Sequence, residues 1–134
     1  MKIMLDPGAK MPTRAHPWDA GLDLYAKEDA VIYRSKMFDT GVHVQIPYGY
    51  YGEIRSRSGL LFKHDITTDG TIDAEYTGSI RVKLINHCKY PYEVKAGDKI
   101  AQLVLCHCLR PELELVDHLE ETDRGDGGFG STGR

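Results

Sequence analysis

The chain has 134 residues, enough for one domain that buries roughly two-thirds of its unfolded surface. Its composition, 41% hydrophobic and 28% charged, is that of an ordinary globular domain, and a formal net charge of -3 without a basic block excludes a general nucleic-acid binder. No apolar run approaches the ~20 residues of a membrane-spanning helix, so none is expected in this chain.

The opening "MKIMLDPGAK" reaches Asp6 and Pro7 too early for the apolar segment of a secretory leader. Cys88, Cys106 and Cys108 are an odd set without framework spacing, as expected of a reducing, intracellular compartment. From there the recurring apolar period is two. "GLDLYA" and "AVIYR" read as short strands. "GVHVQIP" alternates Val42, Val44 and Ile46 with His43 and Gln45. "YYGEIRS" follows, and "SGLLFKH" offers the one helical turn or two, with Leu60, Leu61 and His64 on a shared face. "SIRVKLIN" alternates Ile80, Val82 and Leu84 with Arg81 and Lys83, and "YEVKAG", "IAQLVLCHCL" and "LELV" are further strands. Turn signals separate them at Asp6-Pro7-Gly8, Pro47-Tyr48-Gly49, Asp69-Gly70 and Ala96-Gly97-Asp98. Many short strands predict an all-β sandwich, jelly roll or barrel, whose short edges are commonly hidden by oligomerisation. In Cys106-His107-Cys108 a strand sends the thiols to one face and the imidazole to the other, so the triplet reads as buried thiols and not as a metal site.

Polar residues gather in the breaks between strands, where a rigid scaffold displays function. In "WDAGLDLYA", Asp23 faces opposite to Leu22 and Leu24; it is a solvent-facing strand residue or a carboxylate holding a metal-bound water. "RSRSGLLFKH" places two arginines and two serines before an apolar turn, either an anion site or an N-cap serine with exposed arginines. "TTDGTIDAEYTGSI" carries an Asp-Gly hairpin signal whose edge can read a base through backbone groups, followed by Asp73 and Tyr76. "AGDKIAQL" is a turn entering a strand, with Gln102 between apolar neighbours. The chain ends "RGDGGFGSTGR", which holds five glycines and one aromatic, Phe129. Its G-x-G-x-x-G spacing has no helix to follow and so is not a dinucleotide turn. It is a disordered tail or a lid whose glycine amides, arginine, hydroxyls and ring suit a phosphate and a base.

Together, and in this order, the five segments resemble the five motifs of the homotrimeric dUTPases (deoxyuridine 5′-triphosphate nucleotidohydrolases). "DAGLDLYA" resembles the first, "RSRSGL" the second, "GTIDAEYTG" the third, "GDKIAQL" the fourth and "RGDGGFGSTG" the fifth, a likeness from Asp19 to Gly133. It implies a jelly-roll or distorted β-barrel domain over residues 1–122 and a lid over residues 123–134. It implies a homotrimer with three sites, each drawing on all three subunits. The implied reaction is dUTP plus water to dUMP and pyrophosphate. Asp73 is then the base for the attacking water, and Mg²⁺ rides on the phosphates. Asp23 reaches that ion through water. Arg57, Ser58, Gly59 and Gln102 meet the phosphate chain, and Tyr76 packs on deoxyribose and rejects a 2′-hydroxyl. The backbone of residues 67–72, with Gly70 and Ile72, pairs with uracil. On the lid, Phe129 stacks on uracil while Arg124, Gly130, Ser131 and Thr132 hold the γ-phosphate. Ser56 stands where many members carry proline. The alternatives are a dCTP deaminase of the same fold, with Glu75 as its acid/base, and a non-catalytic dUTP-binding module.

Overall fold

The structure, a computed structural model, describes residues 1–128. Its elements, in chain order, are β1 (Lys2–Leu5), β2 (Gly21–Tyr25), β3 (Ala30–Ile32), β4 (Ser35–Asp39), β5 (Val42–Gln45), β6 (Tyr50–Arg55), α1 (Ser58–His64), β7 (Ile66–Thr67), β8 (Asp69–Ile72), β9 (Arg81–Asn86), β10 (Tyr92–Val94) and β11 (Lys99–His107). A four-stranded sheet runs β2-β11-β6-β8 and a three-stranded one β4-β9-β7, with the pairs β1-β5 and β10-β3 beside them. Every pairing is antiparallel. The last long strand, β11, sits between β2 and β6. Such crossed connections in an all-antiparallel chain with one short helix make the jelly-roll architecture.

Alternation builds the core. In β9, Val82 and Leu84 point inward and are fully buried, while Arg81, Lys83 and Ile85 face out. Leu24, Ile32, Phe38, Val42, Ile54, Ile100 and Leu103 join them from the other strands, and Ile80 from just before β9, in one continuous cluster. Asn86, buried at the end of β9, donates to the carbonyls of Ile32 and Tyr90 and accepts from the Cys88 amide, so its burial leaves no polar atom stranded. Three expected turns form as glycine turns: Gly8, Gly49 and Gly97 all have positive φ.

The structure departs from the sequence reading in five places. The segment "LELV" joins no strand; Leu113 and Leu115 are 95% and 100% exposed, because no strand edge in this chain lies against them. Asp69-Gly70 is not a turn. Both residues lie inside β8, opposite Arg55 and Ile54, and Thr68 before them joins β8 to β7. The thiols of Cys106 and Cys108 are only half-buried. β1 and β4 were not anticipated. Each buries little (Phe38 is the one buried side chain of β4), so neither displays a clear apolar alternation.

Candidate active site

Three adjacent strands bring the first, second and fourth polar segments together. Gln102 of β11 lies opposite Asp23 of β2 on one side and Arg55 of β6 on the other. Two residues beyond Arg55, the chain passes through Arg57 into α1. Asp19, Gly21, Asp23, Arg57, Ser58 and Gln102 consequently line one polar pocket of about 260 Å³. Residues 79 positions apart in sequence meet because the register of a single sheet puts them in one row.

Asp23 is not solvent-facing. It is 5% exposed, and each carboxylate oxygen meets a cation: Oδ1 the Arg57 guanidinium, Oδ2 the Lys99 ammonium at 2.7 Å. A buried carboxylate requires such pairing, and here it also fixes Arg57 in the pocket wall, with Lys99 behind the carboxylate. Arg57 is thereby half-buried and held, not a free surface arginine. It occupies the N-cap position of α1, so the N-cap serine expected as one alternative is absent. Ser58 is the first residue of the helix and Gly59 the second.

Gln102 is placed by its neighbours. Its Nε2 donates to the Ser56 carbonyl at 3.0 Å, and a Cβ at Gly21 would collide with its Oε1. Gly21 is therefore the residue that lets the Gln102 amide lie flat in the pocket. Ser56 makes two further bonds. Its Oγ donates to the Thr68 carbonyl at 2.9 Å and accepts from the Thr68 amide at 2.8 Å. This pair staples the second segment to the joint between β7 and β8, a link that proline could not make.

The third segment lies elsewhere. Asp73 follows β8 and is exposed; its carbonyl accepts from the Tyr76 amide at 3.0 Å, closing a tight turn. That turn sets Asp73, Glu75 and Tyr76 around one cleft, with Arg110 on the opposite wall. The Tyr76 hydroxyl donates to the Ser79 carbonyl at 3.0 Å. Its ring lies over Gly78, where a Cβ would come within 2.6 Å of the ring. Glu75 accepts from the Tyr48 hydroxyl at 3.3 Å. Gly70 and Ile72 belong to β8, the outer strand of its sheet, so one backbone edge of this segment is unpaired within the sheet.

The two clusters sit at opposite ends of β6. Ile72 is opposite Gly52, so the register carries Asp73 to Tyr51, near the start of that strand, whereas Arg57 lies two residues past its end. The separation is six residues of extended chain, about 20 Å. At the far end of the chain, Arg124 folds onto its own turn, its Nε donating to the Gly127 carbonyl at 2.9 Å. Phe129, Gly130, Ser131 and Thr132 lie outside the described residues.

Sequence reasoning missed Lys99, Ser56, Arg110 and Gly78. Lys99 and Gly78 fall within recognisable motifs but carry no signal of their own, and Ser56 was noted only as a departure. Arg110 stands just past β11, where nothing in the local pattern points to a site. Among the described residues no group of three or more histidine, cysteine or acidic side chains could cage a metal. Asp23, the one buried carboxylate among the described residues, already has a cation on each oxygen, so it could meet a hard ion only through that ion's water and only where a ligand's phosphates bring the ion.

The sequence profile of the dUTPase family matches residues 8–133. The deoxyuridine 5′-triphosphate nucleotidohydrolase of Gloeothece citriformis is 48% identical, over 96% of this chain and 92% of its own length. That of Candida albicans is 41% identical, over 100% of this chain and 88% of its own. Among solved structures, the Staphylococcus bacteriophage 80alpha dUTPase with dUpNHpp superposes with a TM-score of 0.88 at 31% identity, covering 99% of this chain and 98% of that one. A dUTPase mutant from phage phi11 of S. aureus, described with a structural Mg(II) ion, superposes with a TM-score of 0.83 at 30% identity, covering 90% and 98%. Profile, full-length identity and fold agree with the row of residues built by β2, β11 and β6, and the chain belongs to the dUTPase family.

Proposed function

We propose that this chain hydrolyses dUTP to dUMP and pyrophosphate, in a homotrimer whose subunits share their active sites. The observation that carries the proposal is the register that sets the two clusters at opposite ends of β6, about 20 Å apart by strand geometry. A dinucleotide-sized gap within one chain is too wide for one triphosphate to touch both Ser58 and Asp73. A second copy presenting its Asp73 cleft to the first copy's Arg57–Gln102 pocket closes the gap. The exposed apolar side chains Trp18, Leu109, Leu113, Leu115 and Leu119 supply surface for such an assembly.

In the assembled site, Arg57, Ser58 and Gln102 orient the phosphate chain, and Gly59 keeps the helix start open to it. Asp73 of another subunit holds the attacking water and takes its proton as that water approaches the α-phosphorus in line with the departing pyrophosphate. Tyr76 lies under the deoxyribose, its ring pinned by Ser79 and Gly78, so a 2′-hydroxyl meets the ring face. The free edge of β8, through Gly70 and Ile72, offers backbone donors and acceptors to uracil. Arg124, Phe129, Gly130, Ser131 and Thr132 close as a lid and exclude bulk water, with residues 1–122 as the body. Bound Mg²⁺ supplies charge neutralisation on the phosphates. Asp23 is the residue that holds its water, and Arg57 and Lys99 hold Asp23. The substrate is an intracellular nucleotide, and the proposed place of action is the cell interior.

The deciding experiment incubates the protein and Mg²⁺ with dUTP, dCTP, dTTP and UTP in turn and resolves the products. Pyrophosphate and dUMP from dUTP alone is the expected result. Ammonia from dCTP would assign the deaminase chemistry and Glu75 instead. Binding of dUTP without turnover would leave a nucleotide-binding module.

A further inference from the structure

Outside the motif residues, the His43 ring joins two segments that no strand pairing connects. His43 lies in β5 opposite Met4 of β1, and its side chain is 17% exposed. Nδ1 is 2.8 Å from the Thr77 carbonyl and Nε2 is 3.2 Å from Asp6 Oδ1. A carbonyl and an ionised carboxylate only accept hydrogen bonds. A neutral imidazole donates from one nitrogen and carries a lone pair on the other, so it would oppose acceptor to acceptor at one of these contacts. An imidazolium donates at both. The site matches the protonated ring alone.

Thr77 follows Tyr76 directly, so the His43 contact bears on the segment that carries the deoxyribose platform. The rest of that segment is held by two further contacts. The Ser79 hydroxyl meets Asp39 Oδ1, and the Tyr76 hydroxyl reaches the Ser79 carbonyl. The charged groups around the ring are Asp6 beyond β1, Asp39 at the end of β4, and Lys2 of β1, which lines the same hollow. The Ser79 hydroxyl and then the Gly41 amide hold Asp39 below the usual carboxylate range, with Lys27 and Arg81 adding less.

We infer that His43, as an imidazolium, is a positioning residue for residues 73–79, and that its deprotonation frees Thr77, loosens Tyr76 and weakens nucleotide binding as pH rises, an inference that rests on Tyr76 being the deoxyribose contact. The Thr77 carbonyl, and after it the Asp6 carboxylate, hold His43 above the usual histidine range against the opposing effect of burial. A raised value in the folded protein means that the clamp is whole below the unfolded pKa of about 6.5 and is lost as pH passes upward through the folded value.

The test follows the His43 Cε1 proton by NMR in the full-length protein and measures dUpNHpp affinity by calorimetry from about pH 6 to 9. Wild-type Kd should rise roughly fivefold across the His43 titration. His43→Gln should show the weaker affinity at all pH values, and Asp6→Asn should shift the titration and the affinity curve downward together. A His43 that titrates at or below the ordinary value, or a Kd profile unchanged in His43→Gln, would overturn the inference. Failure of dUpNHpp to bind at any pH would instead remove the functional reading. The clamp is then still read from the Tyr76 ring resonances, which follow the His43 titration if the ring holds the loop and ignore it if not.

Discussion

Asp73 and Glu75 stand two residues apart on one exposed turn, yet their surroundings differ. Glu75 is engaged by the Tyr48 hydroxyl, while Asp73 keeps its carboxylate at the lip of the cleft and uses only its carbonyl to close the turn. Asp73→Asn keeps the size and loses the proton acceptor, so kcat should fall by about 10²- to 10⁴-fold while dUpNHpp still binds. Steady-state kinetics beside calorimetry separates the two effects; equal losses in both would deny Asp73 its role as a base. Gly78→Ala acts on shape instead. The new methyl would displace the Tyr76 ring, and the expected signature is a higher KM for dUTP together with poorer rejection of UTP. Much of this residue set was legible in the sequence, because Asp23, Arg57, Ser58, Asp73, Tyr76 and Gln102 each sit inside a motif. What alternation could not show is that Asp23 is buried. Its burial depends on Lys99, which reaches it across a register shift between Lys99 and Ala101 in β11. A shift of this kind redirects side chains without leaving a mark in the apolar pattern.

Among the elements, the joint between β7 and β8 carries the most information about how the site is held. The two short strands belong to different sheets, β7 against β9 and β8 against β6, and Thr68 is the joint between them. Thr68 is buried, and the Ser56 hydroxyl satisfies both its amide and its carbonyl. Ser56→Ala leaves two buried backbone groups unpaired, a loss of about 2 kcal/mol. Urea unfolding should report it, and KM should rise with it, since Gln102 leans on the same residue's carbonyl. A stability within error of wild type would mean that the staple contributes nothing. The helix offers a second case. Its C-terminal stop is Asp65 at φ 52, a left-handed position without glycine. Asp65→Val forces a branched side chain into that conformation and should cost about 1–2 kcal/mol in the same assay, whereas Asp65→Gly should not. The sequence made the strongly alternating strands and the helix plain. It misplaced Asp69-Gly70 because an Asp-Gly pair marks a turn only when the flanking strands pair with each other. Here the partner of β8 is β6, set by contacts from elsewhere in the chain.

For the molecule as a whole, the division of the site has a consequence that can be measured by mixing. If each site takes Asp73 from one subunit and the Arg57–Gln102 pocket from another, two differently damaged proteins can repair each other. A trimer of Asp73→Asn subunits has no base, and a trimer of Ser58→Ala subunits lacks a phosphate contact. When the two are unfolded together and refolded at equal concentration, some junctions pair an intact Asp73 with an intact Ser58. For random assembly with a closed cyclic interface this holds for about a quarter of the sites. Activity should return to roughly that fraction of wild type, far above the mean of the separate variants. Sites built within one chain predict no recovery, because every subunit then carries its own defect wherever it assembles. The stretch of exposed leucines from Leu109 to Leu119 belongs to the same question. Replacing Leu113 and Leu115, which are 95% and 100% exposed, by serine changes nothing inside one subunit. If these side chains are covered by a neighbouring copy, sedimentation should show weaker assembly, and the complementation should fail along with it.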